Sequence, residues 1–447
     1  MTFDEIIKSI SPEEFKTTLL RGQYEQLKRW YPSEKTTAWM HGIKKELPHD
    51  ALQKNWNMDT LTNIAYFARA IAQMHPGWEE WDKNPTLKKD KELFKQAIEK
   101  LYNQQLSLSP KKRLNKDNLL AELYKIAGSL KDNHLEVFAA KQKPNGDIHY
   151  YHPVDQKTKL KYRPEVKGTV GKNLAFSPAF RKEDRHTRVF NLETGPLVIA
   201  ERMLNGKKTG IIALSTCMIQ QGTPNEASQR HAFAEIVKTL KNNIKNCDNI
   251  ILDVRGNSGG IPDYLQQIAE IICGTKEKLH DCFESKTRKT EEAKLRTQFY
   301  YQLNTQRKCA PKQYSGKQKV FVLMDKETSS AGEFVHPLLK QYKGTQFIGE
   351  NTKGCCQYAE VNKIALPCGG ALQMGNVFYD FGNGFIEGKG HKPDINCTGH
   401  DAFQIAIKKI ENRRNTLQKT LAIASEKGKR FLKWLKNLWC QKQTKTQ

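Results

Sequence analysis

Apolar positions in the first quarter of the chain recur every three or four residues, the spacing of one face of a helix. The run at 3–10 shows this spacing first. Ser11-Pro12-Glu13-Glu14 then has the form of a capping box with proline at the first helical position. Similar runs cover 60–74 and 92–102. We therefore predict an N-terminal helical domain over residues 1–112, with no recognisable chemistry of its own.

The next unit, 113–399, begins with a single amphipathic helix at 117–130. The helix ends at Asp132-Asn133-His134, directly before the strand-like run LEVFAA. A histidine at a helix-to-strand junction is well placed to face a cleft, although a surface loop explains it equally well.

From residue 209 onward, short apolar runs alternate with amphipathic segments. The runs at 209–218, 249–254, 319–325 and 345–350 indicate strands, and 228–245, 261–273 and 330–342 indicate helices. This alternation favours an α/β fold with a mostly parallel sheet and right-handed crossover helices. Residues 357–367 and 371–380 are typical of a closing hairpin.

Two stretches of this unit lack a clear period. Residues 140–208 are polar and rich in Lys, Asn, Pro and Gly, which suggests either a small β subregion or long loops. Residues 274–317 form a charged insertion, which is either a lid or merely a long loop.

The last stretch, 400–447, is predicted as a basic helical tail with 12 Lys and Arg against 3 acidic residues. Residues 427–440 place aromatic and leucine side chains on one helical face and basic ones on another. Such a helix suits an anionic membrane surface, and it equally suits docking on the chain's own core.

The formal net charge is +25, which favours anionic partners. Because the basic residues are spread along the chain, a solvated lysine-rich surface also explains the charge, and nucleic acid is disfavoured. All 10 cysteines lie from Cys217 onward without a CxxC pair, so we expect reduced thiols and no metal site. The N-terminus lacks the features of a signal peptide. We expect a cytoplasmic protein, with export left open if a leader has been removed.

Two turns carry candidate chemistry. In VLMDKETSSAGEFV, residues 322–335, an apolar strand leads into Ser329-Ser330-Ala331-Gly332, which is either a helix cap or a turn that presents a fixed hydroxyl. Gly256-Asn257-Ser258-Gly259-Gly260 satisfies G-x-S-x-G between a strand and a helix, which makes Ser258 a second candidate nucleophile.

Loops at the carboxyl ends of neighbouring parallel strands share a cleft. One turn can therefore supply the hydroxyl and the other the backbone amides. The pairing is more natural with Ser330 as nucleophile and with Gly259 and Gly260 as amide donors for an oxyanion.

The ordered set of Asp132-Asn133-His134, DVRGNSGG at 253–260, KETSSAGEF at 326–334 and IEGKGHKPDI at 386–395 resembles the tail-specific (C-terminal-processing) serine peptidases. The resemblance covers roughly 115–396 and implies a ClpP/crotonase-like core. Where one branch of that family carries a catalytic lysine, this chain has Cys355, with Lys353 two positions early. The chain therefore resembles the tricorn-core-like branch.

This resemblance implies Ser330 as nucleophile, His134 as general base and Glu387 as the carboxylate that orients the histidine through an intervening hydroxyl or water. It implies an oxyanion hole formed by Gly259, with Gly260, and the amide of Ala331, and it requires no cofactor or metal.

Rival groups and departures accompany this assignment. His336 is a rival base, and Glu333 and Glu350 are rival acids with ordinary roles at a helix start and in a loop. Asn133 stands where a tricorn-like enzyme can carry a helping serine, and Pro337 interrupts the helix after Ser330. No glycine-loop signature of a PDZ domain is evident in 140–208.

The leading hypothesis is a serine peptidase that cleaves extended or unfolded polypeptide through an acyl-enzyme. The alternatives are a catalytically inactive peptide-binding scaffold of the same fold, or a basic protein of the membrane surface. The sequence leaves the oligomeric state open.

Overall fold

The structure, a computed structural model, describes 1–27, 34–48, 51, 59–142, 148–153, 188–192, 195–217, 226–244, 246–260, 262–274, 284–298, 314–381, 385 and 387–411. In these ranges the helices are α1 (Phe3–Lys8), α2 (Pro12–Leu27), α3 (Glu34–Glu46), α4 (Thr60–Met74), α5 (Pro85–Leu106), α6 (Lys116–Ala127), α7 (Glu226–Ile244), α8 (Pro262–Cys273), α9 (Glu291–Gln298) and α10 (Val335–Leu339). A 3₁₀ turn, Ser330–Phe334, leads directly into α10.

The strands fall into three sheets. They are β1 (Glu136–Gln142), β2 (Ile148–Tyr151), β3 (Arg188–Leu192), β4 (Gly195–Leu204), β5 (Lys207–Leu214), β6 (Asn249–Asp253), β7 (Glu284–Thr287), β8 (Tyr314–Met324), β9 (Tyr342–Gly349), β10 (Tyr358–Ala359), β11 (Asn362–Leu366), β12 (Gly370–Met374), β13 (Val377–Asp380) and β14 (Ile395–Asn396).

The central sheet has seven strands in the order β14-β9-β8-β6-β5-β4-β3. The pairs from β14 to β5 are parallel, and β4 and β3 extend the sheet antiparallel. The predicted α/β architecture with a mostly parallel sheet is therefore confirmed. The stretch 195–204, which lies in the region predicted as a small β subregion or long loops, is an integral strand of this sheet.

Both faces of the central sheet are covered, which explains why its strands are nearly continuous apolar runs. Helices α7, α8 and α10 pack on one face around buried Ile212, Leu252 and Val322. The opposite face carries Ile251 and Leu323, which contact a helical segment at 402–411. The start of the predicted tail is thus docked on the core, and the 427–440 prediction lies outside the described residues.

A four-stranded antiparallel sheet, β11-β12-β1-β2, lies between the N-terminal helices and the unit of the central sheet. Its β11–β12 pair confirms the predicted closing hairpin at those strands. Phe15 and Phe67 of the N-terminal helices belong to the same buried cluster as Val137 and Leu372 of this sheet. The loop that carries His134 lies at the edge of this shared core.

Part of the charged insertion is packed against the N-terminal helices. Strand β7 pairs with β13, and the Arg288 side chain donates to the Ala72 carbonyl at 3.0 Å. Arg69 and Glu292 form a half-buried ion pair at 3.0 Å. This part of the insertion is therefore a fixed connection, and 275–283 and 299–313 lie outside the described residues.

Among the helices of the described ranges, none has the length and apolar character needed to cross a bilayer.

Gly349 ends β9 with a φ of +134°, and a Cβ placed there would overlap the Met324 carbonyl oxygen of the neighbouring strand. We expect Gly349→Ala to lower the free energy of unfolding by several kcal/mol, because both the backbone conformation and the overlap oppose a side chain. Gly274→Ala is the matched control, since Gly274 also has a positive φ (+64°) but faces open space. Its expected cost is about 1 kcal/mol. Urea unfolding of both variants measures the difference, and equal losses would contradict the steric argument.

Candidate active site

The turn after β8 is held by the side chain of Asp325, which closes it as an Asx-type turn. The Asp325 carboxylate accepts from the backbone N–H of Thr328 at 2.9 Å and from that of Gly256 at 2.9 Å. Thr328 Oγ1 donates to the Val254 carbonyl at 2.9 Å. These bonds join the ends of β8 and β6, so the two candidate turns share one cleft as the strand order predicts.

The glycine turn passes against the serine turn at close range. Ser329 N–H donates to the Asn257 carbonyl at 2.8 Å, and Gly259 has a φ of +98°. A Cβ on Gly259 would lie 2.6 Å from Ser330 Cβ and 3.0 Å from Ala331 N. Only glycine permits this approach, which explains the residue type at this position.

Ser330 and His134 meet although 196 residues separate them in the sequence: His134 Nε2 lies 3.2 Å from Ser330 Oγ. Ser330 has a φ of +53°, a backbone conformation that is uncommon for a residue with a side chain and that clusters at functional sites. Both residues are partly exposed, so a substrate can reach them. The alternative nucleophile, Ser258, is exposed on the glycine turn.

The loop that carries His134 is fixed from behind by a buried hydrogen-bonded pair. Asp132 Oδ1 accepts from the His134 backbone N–H at 2.7 Å, and Asp132 Oδ2 lies 2.8 Å from His75 Nε2. His75 Nδ1 in turn accepts from Gly77 N–H at 3.0 Å, which places the proton of the neutral ring on Nε2. The N-terminal helical region therefore positions the candidate base. Sequence reasoning missed His75, since nothing in its local pattern distinguishes it.

Glu387 lies beside the histidine in a fully enclosed position. Its carboxylate accepts from Gln357 N–H at 3.0 Å and from Asn133 N–H at 3.4 Å. The Asn133 side chain, which takes the place of a helping serine, donates instead to the Gly354 carbonyl at 2.8 Å. Burial, with the nearby Asp132 carboxylate, raises the pKa of Glu387 well above its ordinary value.

Cys355 is a third neighbour of the histidine, with its Sγ 3.6 Å from His134 Nε2. Burial and the neighbouring Glu387 and Glu333 raise the pKa of this thiol far above its ordinary value. In the sequence, Cys355 is distinguished only by its position, where a related branch of the family carries lysine.

Glu333 is fully buried and binds the backbone of both loops. Its oxygens accept from Ser330 N–H at 3.1 Å, Thr352 Oγ1 at 2.6 Å, Gly354 N–H at 2.7 Å and Cys355 N–H at 2.6 Å. With its oxygens committed to these donors, Glu333 is a structural acid of the site. Glu350, the other rival acid, accepts from Gly399 N–H at 3.2 Å at the sheet edge.

The three predicted oxyanion donors are not equivalent. The Gly259 amide donates to Asn257 Oδ1 at 2.8 Å, so in this conformation it is engaged within the chain. This observation corrects the prediction for Gly259, whose observed feature is the close backbone approach to Ser330. Gly260 and Ala331 stay as the candidate donors.

His336, the rival base, is buried away from the serine. Its ring stacks on that of His391 with centroids 4.4 Å apart, and it contacts Phe347 at 4.3 Å. Burial, with the nearby Lys340 charge, lowers the pKa of His336 to about 3, and burial lowers that of His391 as well. Both rings are therefore neutral in the folded protein at neutral pH.

The low pKa of His336 has a consequence for acid stability. In the unfolded chain this histidine takes up a proton near pH 6.5, and in the folded chain it does not. The contribution of His336 to folding stability is therefore complete above pH 6.5 and falls as pH decreases toward 3. His336→Phe should reduce the slope of the free energy of unfolding against pH, between pH 6 and 4, by about 1.4 kcal/mol per pH unit. Exposed His231→Phe is the control. An unchanged slope in His336→Phe would contradict the assignment.

Comparison with known proteins finds a family model and a relative that match part of the chain. A sequence model of peptidase family S41 matches residues 208–397. A curated relative, the carboxy-terminal processing protease CtpB of Bacillus subtilis (strain 168), is 27% identical over 210 residues, which are 46% of this chain and 37% of the relative. The chain thus spans well under half the length of that relative.

Solved structures with a similar arrangement include mature CPAF, at 13% identity and a TM-score of 0.49, covering 79% of this chain and 96% of that one. The photosystem II D1 C-terminal processing protease has 14% identity and a TM-score of 0.38, covering 76% and 93%. The part of the chain at 208–397 is therefore similar to peptidase family S41, and the curated relative supports that similarity.

Proposed function

We propose that the chain is an active serine peptidase that hydrolyses extended or unfolded polypeptides through an acyl-enzyme. The observation that carries this proposal is the 3.2 Å contact between His134 Nε2 and Ser330 Oγ at a turn where Ser330 has a φ of +53°. A serine hydroxyl becomes a useful nucleophile only when a base takes its proton, and a partly exposed imidazole at this distance can do so.

In the proposed reaction, His134 Nε2 removes the Ser330 proton while Oγ attacks the substrate carbonyl carbon. The amides of Gly260 and Ala331 stabilise the oxyanion of the tetrahedral intermediate. The intermediate collapses when His134 returns the proton to the leaving amine, and a water activated by the same nitrogen then hydrolyses the acyl-enzyme.

Glu387 supports the imidazolium that forms during both steps. A carboxyl group in a low-dielectric pocket interacts strongly with a charge that develops nearby, and Glu387 lies close enough to share a cluster with His134. Its two backbone donors fix its position, so the pocket needs little rearrangement as charge develops.

The nucleophile assignment is tested with a fluorophosphonate probe, which forms a covalent bond with an activated serine. We expect labelling of the wild type, complete loss in Ser330→Ala, and retention in Ser258→Ala, the matched control on the adjacent turn. Labelling that survives in Ser330→Ala and disappears in Ser258→Ala would reverse the assignment. A folded wild type that is not labelled would favour the inactive peptide-binding scaffold.

The role of His75 is tested by two substitutions that differ in one donor. His75→Gln keeps an N–H near the position of Nε2 and should retain most activity on an unfolded polypeptide. His75→Leu cannot bond Asp132, so the His134 loop loses its support and kcat should fall roughly tenfold or more with a smaller change in KM. Both variants are compared by thermal unfolding and by the pH profile of kcat. Equal kcat values in folded His75→Leu and His75→Gln would show that this hydrogen bond does not position the base.

A further inference from the structure

Three side chains of different chemistry converge behind the Ser330–His134 contact. A ring nitrogen of His134, the Cys355 Sγ and a carboxylate oxygen of Glu387 all lie within 4.8 Å of one another. Cys355 Sγ is 3.6 Å from His134 Nε2, on the same ring nitrogen that faces Ser330. The serine mechanism has no use for a thiol at this position.

A thiolate, an imidazole and a carboxylate are the ligand types that bind Zn²⁺. With Zn–S near ~2.3 Å and Zn–N near ~2.0 Å, tetrahedral geometry places sulfur and nitrogen about 3.5 Å apart. The observed separation of 3.6 Å between Sγ and Nε2 matches that spacing without rearrangement. Three protein ligands leave a fourth coordination position for water.

The surroundings also favour a cation. The Glu333 carboxylate accepts from the Cys355 backbone N–H at 2.6 Å, and the Asp132 carboxylate accepts from the His134 backbone N–H at 2.7 Å, so two further acids adjoin the cluster. A buried site with several acids is stabilised by a divalent cation, which also displaces the proton of a coordinating thiol.

We propose that His134, Cys355 and Glu387 form a zinc-binding site whose occupation reversibly blocks the peptidase. Binding releases the Cys355 thiol proton to solvent, together with any proton that Glu387 holds, and places the metal on His134 Nε2. That nitrogen then has no lone pair left to accept the Ser330 proton. The blocking step rests on the proposed function, whereas metal binding does not.

The test uses the full chain without an added histidine tag, titrated with Co²⁺ as a spectroscopic probe and then with Zn²⁺ as competitor. The wild type should show a thiolate-to-cobalt charge-transfer band that Zn²⁺ removes. Cys355→Ser should lose the band and bind Zn²⁺ at least tenfold more weakly. Cys397→Ser is the matched control, because Cys397 is a free thiol outside the cluster, and it should behave as the wild type.

Inhibition is measured separately, as the ratio of fluorophosphonate labelling rates with and without Zn²⁺. The ratio should fall at least tenfold in the wild type and stay near one in Cys355→Ser. Zn²⁺ binding that is equal in the wild type and Cys355→Ser, or a charge-transfer band that persists in Cys355→Ser, would overturn the site. If the wild type is not labelled at all, the proposed function fails, and the Co²⁺ titration of wild type and Ser330→Ala still decides whether the metal site exists.

Discussion

The buried carboxylate of Glu333 is the interaction on which the geometry of the site depends. It binds the backbone N–H of Ser330, Gly354 and Cys355 and the hydroxyl of Thr352, and these groups come from two separate loops. Burial raises the pKa of this carboxyl, and its hydrogen-bond donors oppose that shift by stabilising the ionised form. Since all four partners donate, a proton on Glu333 would displace at least one of them. The strained backbone of Ser330 is therefore held by a group that never needs to contact substrate.

The second constraint comes from the opposite side of the cleft. His134 does not lie on the central sheet, so its distance to Ser330 depends on how the four-stranded sheet and the N-terminal helices pack against the core. The His75–Asp132 hydrogen bond links that packing to the backbone of the His134 loop, because Asp132 also accepts a hydrogen bond from the His134 amide. A helical region without catalytic groups thus contributes to the site through one buried hydrogen bond, in the way that groups around an active site orient those that react.

The sequence predicted those parts of the fold that follow from local periodicity. Buried parallel strands such as β6 and β8 are apolar runs bounded by turn residues, and their order follows from crossover rules. Ser330 and His134 were predicted as partners because the turns that carry them belong to the ordered set of motifs that resembles a peptidase family. His75 and the role of Glu333 were not predicted, since a buried histidine in a helix end and a glutamate in a first helical turn have ordinary sequence neighbourhoods. The engagement of the Gly259 amide was also missed, because it depends on a side-chain rotamer of Asn257.

The environment of His134 decides which of its two neighbours can react. Cys355 is enclosed, and the carboxylates around it keep its thiol protonated, so it is a poor nucleophile despite its intrinsic reactivity. Ser330 is partly exposed, and in the proposed reaction its hydroxyl needs no permanent charge, because the imidazole would take the proton only as the bond forms. The same negative surroundings would stabilise a cation bound at Cys355, so one electrostatic arrangement both suppresses the thiol and supports the proposed metal block.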